Sequence, residues 1–364
     1  LSELTTKLAL IRASMAAHSL GAVRLRGVDW FAWATCGAAP VVLLTSETGV
    51  AEALITPTKA LVLTDVIEAE RLKDEELDPR WEILATPWQD LGGAERSRLV
   101  TEYAEGGVVA SDRPSADEVA LPATLVASKR RLLLAEIQRY RELGRDAAQA
   151  MTEVLSAARP DWSELDLAGR GADALWRRGI HPALTLVAGG QRLGRYRHPT
   201  ATKAKLGDRA MLVFCARRQG LFANLTRFVY FRMPSVEETL RHAAAAEVEA
   251  AALAASRPGT SLAAVLGAVK DAYHAAGYPD ELSRHHQGGT TGYLAREVIA
   301  TADGKTEIGG ATALAWNPSI RDTKIEDTVL ATEASDEVEI LTVDPRWPTE
   351  HVGGRARPLP LVRP

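Results

Sequence analysis

Cysteine is nearly absent: the 364 residues contain two, Cys36 and Cys215. That is too few for a disulfide framework, so a reduced, cytoplasmic setting is expected. No apolar run reaches the roughly 18 residues that a membrane-spanning helix needs, and no membrane partner is expected. Charge of one sign is not in excess either. A formal net charge of −4 gives no electrostatic argument for nucleic acid or acidic membranes, and no nucleic-acid partner is expected. The opening LSELTTKLALIRASMAAHSL is amphipathic without signal-peptide features. It begins at Leu1 rather than Met, which suggests a trimmed terminus. What remains is an ordinary globular mixture, 46% hydrophobic and 25% charged, long enough for two cores.

The first third alternates short β-branched runs with helical ones. VVLLTS (41–46) and ALVLTD (60–65) read as buried strands, and VIEAERLKDEEL, before WEILATP, as a surface helix. EGGVVASDRPSADEVALP, rich in Gly, Pro, Asp and Ser, reads as a domain edge and linker. A long helix is predicted around SKRRLLLAEIQRYRELGRDAAQAMTEVL. The second half carries an internal repeat. AAQAMTEVLSAARPDWSELDLAGRGADALWRRGIHP and AEVEAAALAASRPGTSLAAVLGAVKDAYHAAGYP each hold a helix stopped by Arg-Pro, a capping Ser or Thr, and a second helix closed by Gly. The spacing from Pro160 to Gly179 equals that from Pro258 to Gly277. Strands are predicted after each pair, which gives two α-α-β-β units around a pseudo-twofold axis.

The order of GDRAMLVF, GLFANLTRF, HHQGGTTGY, WNPSI and IEDTVLAT after these helix pairs resembles the creatinase, Xaa-Pro aminopeptidase and prolidase family. The resemblance covers nearly the whole chain. It implies an α/β fold with a small N-terminal creatinase-like domain (1–125) and a pseudo-twofold pita-bread domain (126–364). In the peptidases of that family two Asp, one His and two Glu hold two metal ions. Matching motifs puts these positions at Val213, Asn224, Gly289 or a neighbouring Thr, Asn317 and Glu326, so Glu326 alone is kept. Cys215 faces the same side of its strand as Val213. One carboxylate cannot hold a metal pair, and no metal or other cofactor is expected. Two Asn in place of acids point to a neutral or cationic ligand.

The creatinase branch works without metal, with a His as acid and base. The resemblance places Tyr196 at that position, with His198 two residues on. An extended segment would turn both to one side, His198 as proton shuttle and Tyr196 as a donor to substrate. His286, beside His285, precedes the Gly-rich run 288–292, whose backbone N–H groups would face an anion. Tyr293 and Arg296 resemble a creatinase Tyr-x-x-Arg-Glu segment, and Arg296 would clamp a carboxylate. Arg227 matches a supporting arginine, with Glu326 as its expected partner. Asn224 and Asn317 suit a polar substrate group, and Cys215 reads as an apolar residue more readily than a nucleophile. Trp30 and Trp33 read as core or dimer packing, or as lining for a neighbouring site.

Three readings follow. The first is a homodimeric, metal-independent hydrolase that cleaves a C–N bond in a small, polar, nitrogen-containing substrate. Its residues are His198, Glu326, His286 and Tyr196 in chemistry, with Arg227, Asn224, Asn317, Arg296, Tyr293 and Cys215 in binding. The second is an inactive pita-bread binding protein, disfavoured by the lack of acidic tails or basic extensions. The third is an Xaa-Pro-type metallopeptidase whose site has moved to Cys215, His285 or His286 with Glu326.

Overall fold

The computed structural model describes residues 2–364, and the chain divides into two units, Leu1–Lys129 and Arg130–Pro364. The first contains α1 (Glu3–Ala17), β1 (Leu20–Gly27), α2 (Val28–Ala34), β2 (Thr48–Ile55) and β3 (Ala60–Asp65). Then come α3 (Ala69–Arg71), continued by a π-helical turn to Glu76, β4 (Glu82–Thr86), α4 (Ala94–Tyr103), β5 (Val108–Ser111), β6 (Glu118–Ala120) and α5 (Ala123–Lys129). The six strands form one mixed sheet in the order β4-β3-β2-β1-β5-β6. ALVLTD is the buried strand β3, as its β-branched run predicts. VVLLTS is not a strand: it lies in an exposed loop with Val42 and Leu43 about two-thirds open to solvent. The supposed linker holds β5 and β6, which extend the sheet. Trp30 and Trp33 are buried edge to face at 5.4 Å, with the Lys129 ammonium 4.9 Å from the Trp30 ring. Packing is therefore their fate in this unit.

In the second unit the repeat appears as two helix pairs, α6 (Leu134–Ala157) with α7 (Glu164–Trp176) and α8 (Val236–Ala255) with α9 (Leu262–Ala275). The periodic apolar face of α6 runs through Ile137, Tyr140, Leu143, Ala147, Met151 and Leu155, all buried. The Ser163 and Ser261 hydroxyls accept the Asp166 and Ala264 backbone N–H at 3.1 Å, capping α7 and α9. Gly179 and Gly277 follow those helices at φ +64° and +84°, the left-handed turn where a side chain is disfavoured.

Two sheets lie with these helices. β7 (His181–Gly189), β8 (Arg209–Arg218) and β9 (Leu221–Tyr230) form the first. The second contains β10 (Gly288–Thr290), β11 (Val298–Ile299) and β12 (Thr312–Trp316). A hairpin of β13 (Ser319–Ile320) and β14 (Thr323–Lys324) leads into β15 (Asp327–Ala331) and β16 (Glu339–Ile340). The ribbon β17 (Thr349–Val352)–β18 (Arg355–Pro358) follows, and β19 (Leu361–Val362) adds a parallel edge to β9. β8 and β9 are buried along nearly their whole length, so they read as unbroken apolar runs. The two sheets meet where Thr226 on β9 bridges Glu326, its N–H donating to the Glu326 carbonyl at 3.1 Å. That junction sets the site.

Candidate functional site: a carboxylate between two cations

Glu326 sits just before β15 and is 2% exposed. Its Oε1 accepts Arg296 Nη2 at 2.7 Å, and its Oε2 accepts Lys324 Nζ at 2.7 Å and the Thr226 hydroxyl at 2.8 Å. Burial alone would push this carboxyl up, but Lys324 and Arg296 hold it at about 2. It is ionised with both oxygens engaged. One carboxylate against two cations leaves the centre with one positive charge, which does not favour a cationic ligand at Glu326. Lys324 escaped the sequence reading, although the i, i+2 spacing of Lys324-Ile325-Glu326 brings ammonium and carboxylate to one side while Ile325 enters the core.

The other four positions matched to metal ligands offer no replacement. Val213 belongs to an apolar cluster with Leu186, Met211 and Phe228. Cys215 pairs with Asn224 across β8 and β9, and burial pushes its thiol up to about 12, so it is inert at neutral pH. Asn224 is fully buried, and its Nδ2 donates to the Thr291 hydroxyl at 3.1 Å. Gly289 lies inside β10 at φ +153°, where an added Cβ would sit 2.0 Å from the Val298 carbonyl. Thr291 is the side chain that reaches Asn224. Asn317 donates its N–H to the Gln287 carbonyl at 3.0 Å. The amide oxygens of Asn224 and Asn317 are buried and have no hydrogen-bond partner. These residues do not fit a metal pair: both Glu326 oxygens are already engaged by cations of the chain, and the rest lack anionic oxygen.

The histidines do converge. His198, in the loop before β8, places Nε2 2.8 Å from His285 Nε2. His285 and His286 stack with ring centroids 4.4 Å apart, and His286 lies 6.0 Å from His198. Burial, then the Lys324 charge, lowers His285 to about 3. Burial and Arg296 lower His286 to about 4, and burial and Lys324 lower His198. All three imidazoles are neutral at pH 7.

Four expectations change. Tyr196 and His198 do not lie on an extended segment: the chain bends at 197–198, and the half-exposed Tyr196 ring packs between Arg192 and Arg195 at 5.3 and 5.6 Å. Arg227 pairs with Asp327 (2.7 Å), not with the Glu326 carboxylate, and also donates to the Thr226, Glu326 and Thr342 carbonyls. It fastens β9 to the second sheet. Tyr293 is 1% exposed and gives its hydroxyl to Glu136 Oε1 at 2.5 Å, a brace to α6 rather than a substrate contact. The Gly-rich run is no anion loop, since Thr291 and Gly292 donate their N–H to the Ala313 and Leu294 carbonyls. Its glycines serve close strand packing. Arg296 does engage a carboxylate, but that carboxylate is Glu326 of the chain itself.

The model of metallopeptidase family M24 matches residues 138–333, and the chain belongs to that family. Among solved structures it is similar to an Xaa-Pro dipeptidase from Bacillus anthracis, at 18% identity and TM-score 0.78, covering 99% of both chains. It is similar to the prolidase from Pyrococcus horikoshii, at 18% identity and TM-score 0.78, covering 94% of this chain and 99% of that one. The N-terminal domain of a FACT complex subunit from Cicer arietinum shares the fold at 12% identity and TM-score 0.69, covering 94% and 96%. None of the curated proteins matches. The expected α/β architecture with a pita-bread domain is thus present. Among the described residues no helix is long and apolar enough to cross a membrane.

Proposed function

We propose that the chain is a metal-independent hydrolase of a C–N bond in a small, polar, nitrogen-containing substrate. The observation that carries this is the Lys324–Glu326–Arg296 cluster at the one metal position whose carboxylate is kept. Two fixed cations in a buried site can stabilise negative charge developing on a substrate oxygen, the task a metal ion performs in a peptidase. Glu326 then positions the cations rather than activating water. His198 is the acid-base group: it is neutral at pH 7, reachable from solvent, and oriented by His285. His286 is its neighbour on the same face. Asn224 and Asn317, with free buried amide oxygens, are the groups that accept substrate N–H. A homodimer acting in the cytoplasm on a small molecule, without nucleic acid, completes the reading.

The test is turnover by chelator-treated protein against amidines, ureas, N-acyl amino acids and Xaa-Pro dipeptides. Expected are chelator-insensitive hydrolysis of one class and a fall in kcat of about 10²-fold or more in His198→Ala. No turnover in any class, or full activity in the variant, rejects it. A second reading, an inactive binding protein, is favoured by one fact: Glu326 is saturated from within the chain. It predicts stable binding of a ligand that is recovered unchanged.

A further inference from the structure

Three imidazoles from two segments far apart in sequence, His198 on one and the adjacent His285 and His286 on the other, meet beside the Glu326 cluster. One ring nitrogen each from His198, His285 and His286 can be chosen so that all lie within 4.8 Å of one another. We infer that this trio is a binding site for a single borderline transition-metal ion such as Zn²⁺, Co²⁺, Ni²⁺ or Cu²⁺, separate from the lost metal pair. The inference rests on geometry and partner chemistry.

His285 Nδ1 is 2.5 Å from the His286 carbonyl, so it carries the proton and leaves a lone pair on Nε2. A carbonyl holding the far nitrogen is the usual way a protein fixes the tautomer of a metal-ligating histidine. That Nε2 faces His198 Nε2 at 2.8 Å, so the proton between the two neutral rings is His198's own and its Nδ1 is unprotonated. A metal ion takes the place of this proton when His198, on the exposed loop, shifts it to Nδ1, which frees a lone pair on Nε2 without changing the charge of either ring. His286 Nδ1 is buried without any hydrogen-bond partner, a desolvated nitrogen that a third coordinate bond would satisfy. Metal–nitrogen bonds of about 2.0–2.1 Å put tetrahedral donor atoms about 3.3 Å apart, so small ring rotations close the set.

Three neutral nitrogens without a carboxylate select borderline ions and reject Mg²⁺, Ca²⁺ and Mn²⁺, which require oxygen. Lys324 and Arg296 oppose the incoming charge and Glu326 offsets one of them. The affinity should therefore lie below that of a closed structural zinc site, with the fourth position open. Occupancy takes up the His198 lone pair, so a hydrolase that uses His198 as its base is inhibited by the same ion. That corollary rests on the proposed function; the binding itself does not.

The experiment uses the full chain after EDTA treatment and desalting. Zn²⁺ is titrated in competition with a chromophoric chelator, Co²⁺ is followed by its visible absorption, and Mg²⁺ and Mn²⁺ serve as controls. Expected are one equivalent of Zn²⁺ or Co²⁺ per chain with a tetrahedral Co²⁺ spectrum, and no competition from Mg²⁺ or Mn²⁺. His286→Ala and His198→Ala should each weaken binding by about tenfold or more. His181→Ala, on β7, should leave it unchanged. The exposed His198 loop keeps the test open if His286→Ala fails to fold. No binding, binding unaltered in His198→Ala, or equal competition by Mg²⁺ overturns the site. Because binding is read without substrate, its failure is distinct from a failure of hydrolysis.

Discussion

Lys324 gives Glu326 what a divalent ion would otherwise give it, a positive charge 2.7 Å from a carboxylate oxygen that water does not reach. Removing one partner of such a pair leaves the other uncompensated. Lys324→Met should cost about 3 kcal/mol in urea unfolding at pH 7, and adding Glu326→Gln should restore much of it. The pH dependence has a definite sign. Glu326 titrates at about 2 in the fold against its ordinary 4.5. Its stabilisation is present above pH 4.5 and is lost as pH falls toward 2, on the order of 3 kcal/mol in all. The gap between wild type and Lys324→Met should therefore close over that window, read from urea midpoints at pH 7, 4 and 3. A gap that stays constant would mean the ammonium does not hold the carboxylate. Lys324 stayed hidden in the sequence because the motif comparison asks which ligands remain, and a lysine answers none of those questions. The meeting of His198 with His285 was hidden for another reason: 87 residues separate them, and no local pattern records a contact over that distance.

At the level of elements, the helix pairs were legible because their signals are local: an apolar face, an Arg-Pro stop, a capping Ser and a closing Gly. Strands fared less evenly. β8 and β9 announce themselves as buried apolar runs, whereas β7 was overlooked, since its first half is partly exposed and contains Pro182. VVLLTS was misread because β-branched apolar residues suit a strand equally well on an exposed loop, and only tertiary packing decides. The glycines offer a graded test. Gly277 has φ +84° and open space around it, so Gly277→Ala meets backbone strain alone and should cost about 1 kcal/mol. Gly289→Ala drives a methyl into the Val298 carbonyl within β10 and should cost clearly more, about 2–4 kcal/mol, or prevent folding. Equal losses at the two sites, measured by denaturant unfolding, would contradict the close strand packing described for β10.

For the molecule as a whole, the charges that organise the junction of the two sheets are covalent parts of the chain. Behind Glu326, Asp327 is shared by Arg227 and Arg357 at 2.7 and 2.6 Å, and Arg357 also holds Glu249 at 2.5 Å. After exhaustive EDTA dialysis the chain should still unfold in one cooperative transition in scanning calorimetry, and any gain in melting temperature on adding Zn²⁺ should be that of binding at the histidine trio and vanish in His198→Ala. Loss of the cooperative transition after EDTA would show that a metal supports the fold itself.

The ammonium of Lys324 also bears on where the sequence can go next. An acid restored at Asn224 alone would enter a neighbourhood already holding Lys324 and Arg296, and those side chains would claim it before any ion from solution. Recovering the metal pair would require new ligands at several positions together with the departure of Lys324, and no single step along that route recovers a working site. Physically, Lys324 acts as a tenant of the place at Glu326 that an ion from solution would need, and acids added one residue at a time do not evict it.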